Sequence, residues 1–290
     1  MEEYRIVTDA TADIGAEAME GLPPVRVIPM ELELGGREYI YGPGGNITAE
    51  EFYRLQRSGQ FAQTSAISPA TYTEAFSACL REGRDVLYLC FSSGLSSTIQ
   101  SAKISIQELE ARFPERKIVC LDTLCASLGE GFLIREAARK QAEGLSLREL
   151  ADWVLAHRLQ VCHWFTVDSF THLRHGGRVS AAAAALGTAL QIKPLLRVDE
   201  NGELQVAGKP RGRKRAVAAL LEQMEKGWTP VEGTLVLVGH ASSPDAAAEL
   251  RDQVSRRFPS AEIRLADIGP VIGSHTGPGM LALVFWGTNR

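Results

Sequence analysis

No stretch of the 290 residues stays apolar long enough to cross a bilayer, which takes about 20 residues of helix. An excess of positive charge is also lacking. There are 31 Lys and Arg against 35 Asp and Glu, a formal net charge of −4. Nucleic acids and anionic membranes select basic surfaces, so neither is expected as the main partner. The densest basic stretch, residues 211–215, is too short to change that expectation. Cysteine is sparse and odd in number: Cys79, Cys90, Cys120, Cys125 and Cys162 form no CxxC pair. A disulfide framework and a zinc site are therefore not expected, and most of the thiols sit in apolar segments, as buried free thiols do. The start, Met1-Glu2-Glu3-Tyr4, is acidic and runs into a strand pattern, unlike a signal peptide. A reducing, cytoplasmic setting is the expectation.

What is present is an ordinary globular balance, 45% hydrophobic and 23% charged, in a chain longer than a typical single domain. Strand and helix signals alternate through the first half. Residues 4–7 read as a strand and 25–34 alternate apolar with polar before a Gly35-Gly36 turn. Thr48 with Glu51 and Ser146 with Glu149 have capping-box spacing. Ser68-Pro69 places a cap before proline at the first helical position. Residues 86–91 and 118–121 are unbroken apolar runs, the signature of parallel strands buried on both faces. Beyond residue 160 the texture changes. Strands are expected at 161–167, 195–198, 204–206, 235–239, 263–266 and 280–286, with a hairpin at Asn201-Gly202. Helices are expected at 181–190, at 216–224 and after Ser243-Pro244. The fold class is α/β in two domains, 1–160 with a mainly parallel sheet and 161–290 with a mixed sheet.

Several motifs fail on inspection. Gly202 and Gly208-Lys209 lack phosphate-loop spacing, and Pro210 replaces the hydroxyl that would hold magnesium. Gly277-Pro278-Gly279 precedes a strand, not the helix of a dinucleotide site. His172 and His175 have helical spacing but no third ligand nearby in sequence, so no metal is expected. Three other segments keep a chemical reading. Residues 64–68 read Thr-Ser-Ala-Ile-Ser, and 92–98 carry five hydroxyls in seven residues beyond an apolar strand. Such side chains are either helix caps or hydrogen-bond donors to an anion at strand ends. Residues 268–279 hold four glycines and two prolines, a path of little bulk that leaves His275 as the prominent polar group.

Together with residues 6–13, Asp122-Thr123, 127–131, 173–180, 192–194 and 209–214, these segments resemble the DegV family, in the family's order and over nearly the whole chain. Its members include the fatty-acid-binding subunits of bacterial fatty acid kinase. The resemblance implies two α/β domains with one long-chain acyl group buried between them. It implies head-group contacts from Thr64, Ser96 and His275, and a role for Arg211 toward a separate ATP-dependent kinase that forms the acyl phosphate. No cofactor is implied. Here Ala66 and Ile67 replace Gln-Pro of the family pattern, and Ser97 replaces Gly, which bears on head-group preference. A hydrolase using Ser96, His275 and Asp122, without a nucleophile elbow, is the alternative reading, together with a small-molecule phosphotransferase by fold analogy.

Overall fold

Alternating strands and helices build the first part of the chain, seen in a computed structural model that describes residues 3–179, 191–230, 232–288 and 290. In order come β1 (Tyr4–Asp9), β2 (Arg26–Ile28), β3 (Met30–Leu34), β4 (Arg37–Tyr41), α1 (Ala49–Arg57), β5 (Ala62–Thr64), α2 (Pro69–Arg81) and β6 (Asp85–Cys90). Then follow α3 (Thr98–Arg112), β7 (Ile118–Asp122), α4 (Ser127–Ala142) and α5 (Leu147–His157). Strands β2-β1-β6-β7 form a four-stranded parallel sheet. All six residues of β6 are buried. Leu87 and Leu89 pack with α4 and α5, while Val86 and Tyr88 pack with α2 and α3. Burial on both faces explains why this strand shows no polar alternation.

The caps are as expected at two helices and partly so at two others. Ser146 and Glu149 bond reciprocally, and Ser68 accepts from Thr71 N with Pro69 in the first turn. Thr48 accepts from Glu51 N. Ser243 makes no cap bond, its hydroxyl turning to the Ala241 carbonyl. Residues 25–34, expected as one strand, divide between two sheets. β2 runs parallel to β1, and β3 pairs antiparallel with β4 and β5 in a separate three-stranded sheet. Pro29 lies at the break. It has no N–H to give a ladder and so interrupts pairing without changing the alternation.

The second part holds β8 (Val161–Thr166), α6 (Thr171–His175), β9 (Leu195–Val198), β10 (Leu204–Gly208), α7 (Arg213–Gly227) and β11 (Leu235–His240). It ends with α8 (Pro244–Arg257), β12 (Glu262–Asp267), α9 (Pro270–Thr276) and β13 (Leu281–Trp286). The helix expected at 181–190, and Ser180, lie outside the described residues. The six strands are ordered β10-β9-β8-β13-β11-β12, antiparallel except for β11 and β12. The fold is thus α/β with one parallel and one mixed sheet. Helices α7 and α8 cover the outer face through Leu220, Met224, Leu250 and Val254. The inner face shares a continuous core with the first part, from Ile6 through Phe132 to Trp286.

Helix α4 lies between the two sheets, and its first two turns, residues 127–134, are buried all round. Its two glycines are required by that position. A Cβ on Gly129 would fall 1.8 Å from His163 Nε2, and one on Gly131 would fall 2.3 Å from the Ala12 carbonyl. Glycine costs about 1 kcal/mol in a helix interior, and here it permits the close approach of both flanking layers.

Candidate functional site

The inner face of the six-stranded sheet does not close fully onto α4. Phe165, Val198, Ala282 and Val284 from the sheet, with Leu128, Phe91 and Met280, surround a largely apolar cavity. Its empty volume is about 870 Å³, including the part open to solvent. Thr64, Ser96 and His275 all line it, although 211 residues separate the first from the last. Each arrives on a different element: Thr64 ends β5 opposite Leu32, Ser96 lies in the loop after β6, and His275 stands on α9.

The glycine-rich segment, expected as a path of little bulk, is a helix over Pro270–Thr276. Proline suits its first turn, where the missing N–H has no helical partner to lose. Gly273 lets the helix meet α1, since a Cβ there would lie 2.4 Å from Tyr53 Oη. Tyr53 donates to the Ile268 carbonyl at 2.8 Å, and Gln56 donates to Gly273 O at 3.1 Å. Asp13 holds the helix start, accepting from Gly269 N at 2.9 Å and from Ser127 Oγ at 2.6 Å. Burial raises Asp13 to about 7 against those two bonds.

His275 Nε2 and Thr64 Oγ1 are 3.0 Å apart. Burial first, then Arg178 and His175, lower the imidazole to about 4, so it is neutral at pH 7. Its Nδ1 is buried without a partner. A proton there would be an orphaned donor, which folded proteins avoid. We therefore assign the proton to Nε2, donating to Thr64, whose own hydroxyl proton then turns away from the ring. Ser96 Oγ accepts from Thr98 N at 3.2 Å and likewise keeps its proton for another acceptor.

Other hydroxyls of the same loop are occupied. Ser92 donates to Gly202 O at 2.8 Å, tying the loop to the β9–β10 turn. Thr98 bonds Tyr72 Oη at 2.8 Å, and Ser97 takes the cap position without a side-chain bond. Ala66 is exposed and Ile67 is buried in the core beside α2. Arg211 is exposed, forms a bridge with Ile192, and does not line the cavity. Arg178 does line it, donating to Leu95 O and Gly176 O. The basic glycine turn at 174–178 carried that signal in sequence, but nothing there distinguished Arg178 from Arg174. His175 stacks on Phe61, and His172 lies tilted against the same ring. Among the described residues there is no cluster of three His, Cys, Asp or Glu suited to a metal, and no helix long and apolar enough to cross a membrane.

Fold and cavity define an α/β protein of parallel and mixed sheets built around an apolar ligand pocket with hydroxyl and imidazole groups in its wall. The chain belongs to the DegV family, described as uncharacterised proteins, whose family model matches residues 3–287. A DegV domain-containing protein of Clostridium perfringens is 35% identical over 290 residues, covering 100% of this chain and 99% of the relative. The solved structure of a fatty-acid-binding DegV family protein from Thermus thermophilus is 32% identical with a TM-score of 0.85, over 99% of this chain and 100% of that one. The Fatty Acid Kinase (Fak) B3 protein of Streptococcus pneumoniae, loaded with linoleic acid, superposes with a TM-score of 0.85 over 98% of this chain and 99% of that one. At 18% identity, that likeness speaks for the fold.

Proposed function

We propose that this chain binds one long-chain fatty acid in the cavity and presents its carboxyl group to a separate ATP-dependent kinase for acyl-phosphate formation. The observation that carries the binding half is the apolar cavity with the Thr64–His275 pair and Ser96 in its wall. An acyl tail gains about 0.8 kcal/mol per buried CH₂, and a carboxylate in such a site needs donors. The hydroxyl protons of Thr64 and Ser96 supply them, and neutral His275 acts by orienting Thr64. Fatty acid binding by the Thermus thermophilus relative supports the same reading. The kinase half rests on the family resemblance and on the Streptococcus pneumoniae protein. Arg211, exposed and outside the cavity, suits a group meant for the partner, where a guanidinium stabilises a transferring phosphoryl group. The five cysteines form no disulfide with one another, which suits a reducing compartment, and we place the protein in the cytoplasm on that ground.

A hydrolase finds less support in this geometry. A triad needs a carboxylate on the base's second nitrogen, and His275 Nδ1 has none. Asp122 accepts instead from Ser93 N and Leu124 N. The binding half is tested by organic extraction and mass spectrometry, which should find near-stoichiometric fatty acid. A preparation that arrives empty and takes up neither palmitate nor oleate overturns it. The presentation half is tested with Arg211→Ala, which should exchange lipid normally yet support little acyl-phosphate formation with kinase and ATP. Parallel loss of both would assign Arg211 to the pocket or the fold.

A further inference from the structure

A sheet ends in edge strands whose outer N–H and C=O groups are unpaired, and folded proteins protect such edges with proline, charge, bulges or brevity. Most edges in this fold are protected. β2 and β5 are three residues each, and β2 lies between Pro24 and Pro29. β4 opens with Arg37 and Glu38, β10 has a register shift between Val206 and Gly208, and β12 carries Glu262, Arg264 and Asp267. β7 has none of these devices. It ends the four-stranded sheet beyond β6, and Ile118-Val119-Cys120-Leu121 runs uncharged along it. All its residues are partly exposed, whereas those of β6 are buried.

The ladder identifies the open groups. Val86 N donates to Lys117 O at 2.9 Å and Thr123 N to Cys90 O at 3.1 Å, with Val86 opposite Ile118. In a parallel ladder alternate residues turn their peptide groups to the neighbour, so residues 117, 119, 121 and 123 face β6. Ile118, Cys120 and Asp122 face outward. Arg158 Nη1 covers the Asp122 carbonyl, which leaves Ile118 and Cys120 with open N–H and C=O groups among the described residues. Ile118 and Cys120 turn their side chains to the α2 and α3 side, while Val119 and Leu121 join the core beside α5. There they share a trough with Leu155 of α5, which is 44% exposed. The ends of the strand are opposite in charge: Arg116 and Lys117 precede the apolar run and Asp122 closes it.

We propose that β7 is a self-association edge, on which two copies of this chain pair antiparallel across a two-fold axis at Val119 and join their four-stranded sheets into one. Ile118 of each copy then lies opposite Cys120 of the second copy, and each such pair exchanges two backbone hydrogen bonds. Charge selects both the occupant and its direction. An antiparallel copy sets the basic start of one strand beside Asp122 of the other at both ends, whereas a parallel copy sets like charges together. On the α5 face the two apolar troughs run into one another, which removes Leu121 and Leu155 from water. Among the described residues none of β7 or α5 is in the cavity wall. Association therefore leaves both cavities open, and it is independent of the fatty-acid reading.

The test is the mass of the full chain by sedimentation velocity over a dilution series. The wild type should pass from dimer to monomer on dilution. Cys120→Pro should be monomeric throughout, since it removes an outward N–H and leaves the β6 ladder intact. Val119→Lys should be monomeric too, because it sets like charges opposite each other at the axis. In a Cys120→Ser background, Val119→Cys should cross-link to a dimer on mild oxidation. Leu121→Cys, opposite Lys117 in the same register, should not. A wild type that stays monomeric at the highest attainable concentration overturns the proposal. A dimer that persists in both Cys120→Pro and Val119→Lys lies elsewhere on the molecule and overturns it equally, as does a dimer whose thiols at 119 do not cross-link. The wild-type series and the cross-link decide even where the proline variant does not fold.

Discussion

Two groups of buried polar side chains border the cavity, and they are connected differently. In the first, Tyr88 Oη donates to Asp9 Oδ2 at 2.8 Å, and Tyr72 Oη bonds both Tyr88 and Thr98. Thr11 Oγ1 lies 2.5 Å from Asp9 Oδ1 and 2.8 Å from Glu130 Oε2. Thr8 Oγ1 lies 3.0 Å from Leu89 O and 3.2 Å from Glu130 Oε1. Each threonine has one proton and two acceptors facing it, so a proton must reside on the carboxyl pair. Burial raises both acids, Glu130 more decidedly, and we place the proton there. In the second group, Thr64 and Ser96 line the cavity and keep protons free for an acceptor. The first network is satisfied within the protein and serves the fold. The second offers donors to whatever occupies the cavity.

That contrast sets the expected effects, taken from the largest down. Asp13, at the start of α9, is raised from 3.8 to about 7 by burial. Below pH 4 it is protonated folded and unfolded alike, and between about 4 and 7 only the folded state keeps the proton. Stability from this group is therefore full in acid and lost as pH rises through that window, on the order of 4 kcal/mol in all. Asp13→Asn should flatten the slope of unfolding free energy against pH by up to about 1.4 kcal/mol per pH unit, read from urea melts at several pH values. Thr11→Val should follow, destabilising by about 3 kcal/mol because two buried carboxyls lose a shared partner, measured as a shift in the denaturation midpoint. A shift below about 1 kcal/mol would remove the distinction drawn between the two clusters.

Across the cavity the balance of effects should reverse. Thr64→Val and Ser96→Ala should each weaken palmitate binding by about 1–3 kcal/mol with little change in melting behaviour, checked by titration and thermal unfolding on the same samples. An unchanged affinity in the double variant would make these hydroxyls ordinary loop groups. The smallest effect belongs to Glu130→Gln. An amide accepts and donates as the protonated acid does, so stability should stay within about 1 kcal/mol of the parent. A loss as large as that of Thr11→Val would show that Glu130 is ionised in the folded protein.

The sequence is legible here where one element's chemistry is self-contained. The unbroken apolar run at 86–91 announced a doubly buried strand, and Ser146 with Glu149 announced a helix start, because both signals act within a few residues. The second half was readable in the same way, and the Asn201-Gly202 hairpin joins β9 to β10 as expected. Over residues 25–34 the alternation says that one face is buried but not against which sheet, so the division at Pro29 is visible only in the structure. The helix Pro270–Thr276 was missed because its glycines serve contacts with Tyr53 and His172, which lie far away in sequence.

By itself, the amino-acid order determined the α/β class, most strands of both main sheets and the residues with donors to offer. Only the tertiary structure decided which of those donors remain unspent. Ser92, Thr98 and Ser96 are equivalent as sequence, yet Ser92 is used by Gly202 and Thr98 by Tyr72, while Ser96 keeps its proton toward the cavity. A hydrogen bond is settled by whatever stands within about 3 Å of the atom, and in this fold that neighbour comes from a different element.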